Sequence, residues 1–161
     1  MKSLRNLLFL AFTIYLFSCS TDGEQLNLVE TDLMKYGAPF KIMAPDSVVI
    51  TDEDNLVSTD IELKYGSSYD ILVQIQDAAD NEFSRFMQEQ RSMVESGTYF
   101  SKMVESDESG FIYENKVDST FVNYGFRYLI LQNDKEFIFQ SGLIGTFDLD
   151  EIQTLYQAVK Q

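Results

Sequence analysis

Side chains that could carry out chemistry are scarce in this sequence of 161 residues. It contains no histidine, which removes the commonest general base and metal ligand in proteins. Its one cysteine, Cys19, has no second thiol with which to form a disulfide. Because the usual serine and cysteine triads contain a histidine, neither can be assembled here. Carboxylates are therefore the remaining candidates for catalysis.

The acidic residues concentrate in two short clusters at predicted turns. They are Asp52, Glu53 and Asp54 in the first cluster, and Glu105, Asp107 and Glu108 in the second. A hydrolase built on two carboxylates needs them to converge in a cleft, whereas acids at turns are usually solvated. A calcium site is the other possibility, but Val57 and Leu63 stand where an EF-hand loop has glycine and glutamate. We therefore expect no catalytic residues, no metal ligands and no cofactor, and a protein that is not an enzyme.

Cys19 ends an apparent export segment. Lys2 and Arg5 give it a positive start, and the nearly apolar run 7–17 is shorter than a comfortable membrane span. The sequence Leu-Phe-Ser-Cys at 16 to 19 resembles a bacterial lipobox, where a peptidase cuts before a lipid-modified cysteine. The resemblance implies a lipoprotein signal peptide over 1–18 and a lipid anchor on Cys19.

Residues 19–36 are expected to form the lipidated cysteine and a tether, because their first part is small, polar and acidic. Asp22 and Glu24 resemble the export tags of surface lipoproteins in some Gram-negative groups, although a solvated linker is the favoured interpretation. Ser20 does not match the aspartate of the inner-membrane retention signal. The expected location is the cell envelope, with the lipid in the outer membrane and the domain on its periplasmic or surface face.

The charge of the chain limits its partners. The formal charge is −14, and it becomes −16 once the two basic residues of the signal peptide are removed. Such a field repels nucleic acid and anionic lipid head groups. We therefore expect no nucleic-acid partner, and attachment to the membrane through the lipid on Cys19.

Residues 37–161 are predicted to form a single domain. Val48 to Ile50 indicates a short buried strand, and alternation over 61–65 and 71–75 predicts a hairpin. The apolar period then changes to nearly four, which predicts a helix over 79–96 with Asp77 or Asp80 as its cap. Its packing face should contain Phe83, Phe86, Met87, Met93 and Val94.

The second half repeats strands and then a helix. Strands are predicted over 99–104 and 111–114, and a long strand from Val122 to Ile130 should turn at Asn133-Asp134 into 136–143. Asp148 and Glu151 resemble a capping box that opens a final helix. The order strands, helix, strands, helix predicts an α+β fold in which helices flank an antiparallel sheet.

Three further features allow more than one interpretation. Tyr124, Phe126 and Tyr128 share one strand face and are either core residues or a stacking platform for a ligand. Arg127, on the opposite face, is either a surface residue or an anion contact. The triplets 46–48 and 118–120 resemble short O-glycosylation sequons of periplasmic proteins, although such triplets also arise by chance.

The order of elements over 38–160 is similar to that of the Mog1/PsbP-like fold, an antiparallel sheet between helices. The sequences YGAPFKIMAP at 36 to 45, GFIYE at 110 to 114 and FQSGLIG at 139 to 145 resemble those of uncharacterised Gram-negative envelope lipoproteins. That resemblance implies a non-catalytic domain that binds a partner protein or assists a membrane complex. A module that binds a small ligand or glycan is the alternative, and a carboxylate hydrolase is the weaker one.

Overall fold

A seven-stranded antiparallel sheet forms the centre of the computed structural model, which describes residues 26–160. The predicted signal peptide, Cys19 and the first part of the expected tether lie outside the described residues. The elements, in chain order, are β1 Leu28–Asp32, a short 3-10 turn Met34–Tyr36, β2 Lys41–Pro45, β3 Val49–Asp54, β4 Thr59–Tyr65, β5 Tyr69–Asp77, α1 Phe83–Glu95, β6 Phe100–Ser106, β7 Gly110–Lys116, β8 Val122–Gln132, β9 Lys135–Ser141 and α2 Leu149–Val159.

The strands of the large sheet lie in the order β3-β4-β5-β9-β8-β7-β6, and β1 pairs with β2 in a separate ribbon. One face of the sheet carries the main core, where α2 and the β1–β2 ribbon pack on strand residues such as Val73 and Phe126. On the opposite face α1 packs Phe86 against Leu129 and Ile138. The predicted α+β fold, an antiparallel sheet flanked by helices, is confirmed.

Both predicted hairpins form as expected. Tyr65 pairs with Tyr69 across the β4–β5 turn, and Gln132 pairs with Lys135 across the β8–β9 turn. Asn133 and Asp134 have positive φ angles of 54° and 57°. A two-residue turn of this hand matches the twist of the strands, and Asn and Asp tolerate it better than most residues.

The predicted start is confirmed for α2 but not for α1. α2 begins at the predicted capping box and buries Ile152, Leu155 and Tyr156. α1 is shorter than predicted: its N-cap is Glu82, not Asp77 or Asp80. The Asp80 carboxylate instead accepts from the Glu82 amide at 2.9 Å and from Arg85 Nε at 2.6 Å, which fixes the approach to the helix. Met93, expected on the packing face, is 58% exposed.

Ordered structure begins before residue 37, inside the range expected to be tether. β1 pairs along its whole length with β2, and Leu26 and Leu28 pack against the main core. Alternate residues of this segment are thus held by burial of their apolar side chains. The tether expected over 19–36 is corrected accordingly, because the described part of that range contains a strand.

The edges of the sheet also differ from expectation. The predicted buried strand 48–50 is the beginning of β3, an exposed edge strand that continues through the acidic residues to Asp54. β9 ends at Ser141, two residues earlier than predicted. The other edge strand, β6, has irregular register with β7 on either side of Lys102. Charged side chains on β3 and irregularities in β6 both discourage pairing with another chain.

Candidate functional site

Cys19, the one residue predicted to be modified, lies outside the described residues. Its acylation therefore stays a prediction. The described chain starts at Leu26, seven positions after Cys19.

The two acidic clusters do not come together. Asp52, Glu53 and Asp54 lie on edge strand β3, not in a turn as predicted, and Glu105 lies on β6 at the opposite edge. Six strand spacings separate these edges, a distance of about 29 Å. The Asp107 carboxylate stabilises the turn between β6 and β7, because it accepts a hydrogen bond from the Gly110 amide at 2.9 Å. The arrangement gives no pair of convergent carboxylates from these clusters.

The calcium hypothesis finds no matching geometry around β3. Side chains alternate across a strand, so Glu53 points to the opposite face from Asp52 and Asp54. Over residues 26–160, no group of three or more acidic or cysteine side chains is placed to hold a metal ion.

The aromatic stripe of β8 belongs to the core. Phe126 is fully buried and Tyr128 is 7% exposed. Both rings pack edge-on against Tyr156 of α2, with ring centroids 5.8 and 6.1 Å away. The interpretation of this stripe as a stacking platform for a ligand is therefore wrong, since its rings are occupied by contacts within the core.

Arg127 lies on the α1 side of the sheet, opposite Gln140 of β9 and Phe111 of β7. Its Nε is buried and donates to no acceptor within residues 26–160. Burial lowers the pKa of the guanidinium, and the nearby Tyr113 hydroxyl opposes that shift. A buried cationic group with an unsatisfied donor is unfavourable, so an anion that reached this point would be stabilised.

The neighbourhood of Arg127 is polar along the sheet. Gln140 Nε2 donates to Gln74 Oε1 at 2.9 Å, and Gln74 Nε2 donates to Asp60 Oδ1 at 3.4 Å. Tyr113 lies over Gly125, where a Cβ would come within 2.6 Å of its ring and hydroxyl. These residues place amide and hydroxyl groups on the same face as the arginine, and the sequence offered only Arg127 itself.

A groove not foreseen from the sequence lies between the β1–β2 ribbon and α2. It has a volume of about 450 Å³. Its lining consists of Leu28 and Met43 from the ribbon and of Asp150, Gln153, Thr154, Gln157 and Ala158 from α2. The sequence alone does not reveal the groove, because β1, which supplies Leu28, falls in the range expected to be tether, whereas Met43 falls in the predicted domain. The alternation of Leu26 and Leu28 with Asn27 was the available signal.

Both sequon-like triplets lie at surface turns. Asp46 and Ser47 are exposed in the turn between β2 and β3. Asp118 to Thr120 are exposed in the turn between β7 and β8, where the Asp118 carboxylate accepts from the Thr120 hydroxyl at 2.7 Å.

No helix within residues 26–160 has both the length and the apolar character needed to cross a bilayer. Comparison of the whole chain with protein-family models and with curated proteins finds no match.

Proposed function

We propose that this protein is a lipid-anchored lipoprotein of the cell envelope whose domain binds a partner protein through the groove between the β1–β2 ribbon and α2. The groove is the observation that carries the proposal. The lipobox-like end of the signal sequence supports the anchor on Cys19, and the acidic charge supports attachment by lipid and not by basic residues. The outer membrane is the proposed location, and the Mog1/PsbP-like resemblance supports an accessory role.

The composition of the groove suits a protein segment. Leu28, Met43 and Ala158 give it apolar surface, while Gln153 and Gln157 supply donors and acceptors along α2. An apolar centre with a polar margin is the usual anatomy of a protein interface. Methionine adapts its shape to different apolar partners, and Met43 is 40% exposed here.

Charge indicates which partners are favoured. Asp150 lies at the groove, and the chain without its signal peptide has a formal charge of −16. A segment with an apolar anchor and basic neighbours would be attracted to this surface, and an acidic one would be repelled.

Site-specific crosslinking in intact cells tests the groove. A photo-reactive amino acid replaces Gln157 on α2 or, as the control, Gln88 on α1, and both positions are exposed. We expect a discrete crosslinked protein band from position 157 and none of the same mass from position 88. Met43→Glu should remove that band, because it places a charge on the apolar surface. Equal patterns at both positions, or none at either, would contradict the proposed groove.

A second candidate function, binding of a small anion, is favoured by Arg127 alone. Its Nε is buried without a partner among the described residues, so a carboxylate or phosphate group could supply the missing acceptor. A ligand that binds only the folded state raises its stability. Inorganic phosphate should therefore raise the melting temperature of the wild type more than that of Arg127→Met.

Arg91→Met is the matched control for the anion experiment. Arg91 projects from α1 over the Phe111 ring, and its guanidinium already donates to Ser106 Oγ. We expect this variant to keep the response to phosphate. An equal response in the wild type and in both variants would show that Arg127 is not an anion site.

A further inference from the structure

Five large apolar side chains are exposed at one end of the seven-stranded sheet. We call Tyr99, Val117, Phe121, Leu143 and Ile144 the apolar rim. Their exposed fractions run from 44% at Phe121 to 91% at Ile144. Single exposed apolar residues are ordinary, but a group of them at one place indicates a surface that contacts something other than water.

Hydrogen bonds show that the loops of the apolar rim are neighbours. The Lys116 amide donates to the Tyr99 carbonyl at 2.7 Å, and the Val117 amide donates to the Phe121 carbonyl at 3.1 Å. Asn123 then joins the beginning of β8 to the loop that contains Leu143 and Ile144. Its side-chain Nδ2 donates to the Gly145 carbonyl at 3.4 Å, and its side-chain Oδ1 accepts from the Phe147 backbone amide at 2.8 Å.

The N-terminal segment joins the domain near this same end. Leu28 pairs with Pro45, and β3 then begins at Val49 opposite Lys64, beside the β4–β5 turn. The Tyr69 hydroxyl fastens the ribbon there by donating to the Met43 carbonyl at 2.8 Å. We call this the tether end; its loops are 46–48, 66–68, 96–99, 117–121 and 142–148.

Charge is divided unevenly between the two ends of the sheet. The loops of the tether end have three acidic residues among 22 positions, namely Asp46, Asp118 and Asp148. The loops of the opposite end, 55–58, 78–82, 107–109 and 133–134, have five among 14. We call that opposite end the acidic end. An anionic lipid surface repels acids, so it favours approach by the tether end.

We propose that the apolar rim contacts the lipid surface to which Cys19 is anchored, so that the tether end faces the membrane and the acidic end faces away. This inference rests on the proposed acylation of Cys19. Leu28 lies nine positions after Cys19, and even fully extended this stretch of chain spans only about 30 Å. The anchor therefore keeps the tether end close to the bilayer, where Tyr99 and Phe121 suit the interface between head groups and acyl chains.

Tryptophan fluorescence tests this orientation, because the chain contains no tryptophan of its own. Ile144→Trp reports on the apolar rim. Val57→Trp is the matched control, since Val57 is 81% exposed in a turn of the acidic end. The acylated full chain of each variant is reconstituted into vesicles of phosphatidylethanolamine and phosphatidylglycerol, with and without brominated acyl chains.

The emission maximum of Ile144→Trp should shift to the blue when the protein is bound to vesicles. Its emission intensity should fall roughly twofold with brominated lipid, because interfacial side chains lie about 5–10 Å deep. The emission of Val57→Trp should stay unchanged. The proposed orientation would be overturned by equal quenching of both variants, by quenching of Val57→Trp alone, or by quenching of neither. Quenching of neither variant would indicate that the apolar rim contacts a protein and not lipid.

Metabolic acyl labelling of the same preparations separates the two proposals. If the Ile144→Trp protein is labelled but its fluorescence is not quenched, the apolar rim is refuted as a membrane contact and the anchor stays intact. A chain that incorporates no acyl label would refute the anchor itself, and with it the orientation. A control substitution, Ile144→Asp, should remain acylated, and when it is combined with Phe121→Trp the tryptophan fluorescence should not be quenched.

Discussion

Gly110 begins β7 at a point where no side chain fits. A Cβ there would clash with the main-chain carbonyl oxygen of Arg127 and would lie 2.7 Å from the Tyr156 hydroxyl. The carbonyl cannot move without disturbing the pairing of β7 with β8, in which Gly110 faces Tyr128. Gly110→Ala should therefore lower the free energy of unfolding by about 1–3 kcal/mol.

Urea denaturation of the purified protein measures this effect. Ser109→Ala is the control, since the adjacent serine is partly exposed and alanine needs no more space than its side chain already occupies. We expect that control to change stability by no more than about 0.5 kcal/mol. Equal stabilities of the two variants would show that β7 adjusts to a side chain at Gly110.

Asp118 organises the loop that carries Val117 and Phe121. Its carboxylate accepts from the Thr120 amide at 2.7 Å, from the Thr120 hydroxyl and from the Phe121 amide at 2.9 Å. These hydrogen bonds, led by that from the Thr120 amide, lower the pKa of Asp118. A carboxyl with a lowered pKa stabilises the folded state above its unfolded pKa of about 3.9 and loses that effect as the pH falls through the folded value.

The wild type should thus be more stable than Asp118→Ala at pH 7, and the difference should close on acidification below about pH 4. Thermal unfolding across this pH range measures the difference directly. Ser119→Ala, in the same loop, should differ from the wild type by an amount that does not vary with pH. A difference for Asp118→Ala that persists undiminished at the acid end of the range would contradict the role of the ionised carboxylate.

Individual side chains were predictable from the sequence where periodicity fixed their surroundings. Phe126 and Tyr128 were expected in the core as one of two interpretations, because Val122 and Ile130 continue their face, and they are buried. For Arg127, alternation along the strand predicts only that the side chain lies on the face opposite Phe126 and Tyr128. Its missing partner could not be predicted, since that depends on Phe111 and Gln140 from two other strands.

At the scale of elements, α2 is the best-specified piece of the fold. The Asp148 carboxylate accepts from the Glu151 amide at 2.9 Å, and the Glu151 carboxylate accepts from the Asp148 amide at 2.9 Å. This reciprocal pair satisfies two amides that the helix itself leaves free. α2 then covers one face of the sheet, so its beginning also positions one wall of the groove.

Replacement of the cap tests its contribution. Asp148→Ala should lower the free energy of unfolding by about 1 kcal/mol, because the Glu151 amide loses its acceptor. Asp150→Ala is the control in the first turn of the same helix. Chemical denaturation should show the control much closer to the wild type. If both variants lost the same free energy of unfolding, the effect would come from the charge at the helix N-terminus and not from the cap.

Elements with a strong local pattern were predictable, and those fixed by distant pairing were not. The β4–β5 and β8–β9 hairpins are set by short turns and alternating side chains, so both could be inferred. β1 and β3 carry that signal only in part: Leu26 and Leu28 alternate with Asn27, and 48–50 is apolar, but most of β3 and part of β1 are exposed. The central pairing of β5 with β9 joins residues that α1 and three strands separate in sequence, and nothing local specifies it.

At the scale of the whole molecule, the domain has two unlike ends and a groove on one side. The apolar rim and the connection to the N-terminal segment lie at the tether end, and acidic loops lie at the acidic end. If the apolar rim faces the bilayer, the groove opens to the side, where a protein in the same membrane can reach it. The composition predicted an acidic protein, whereas the separation of its charges depends on which turns the topology brings together.

The anchor is the central claim, since the compartment and the orientation both depend on it. Replacing Cys19 with alanine removes the sulfur that would carry lipid, while Ser20→Ala next to it should change nothing. Each methylene of an acyl chain contributes about 0.8 kcal/mol to membrane binding, so two or three chains hold a protein firmly.

Membrane fractionation combined with acyl labelling of the full chain in a Gram-negative host tests this claim most directly. The account predicts that the wild type and Ser20→Ala are labelled and sediment with the membranes, whereas Cys19→Ala is unlabelled and leaves that fraction. A Cys19→Ala variant that stays with the membranes to the same extent as the wild type, or a wild type without label, would contradict it.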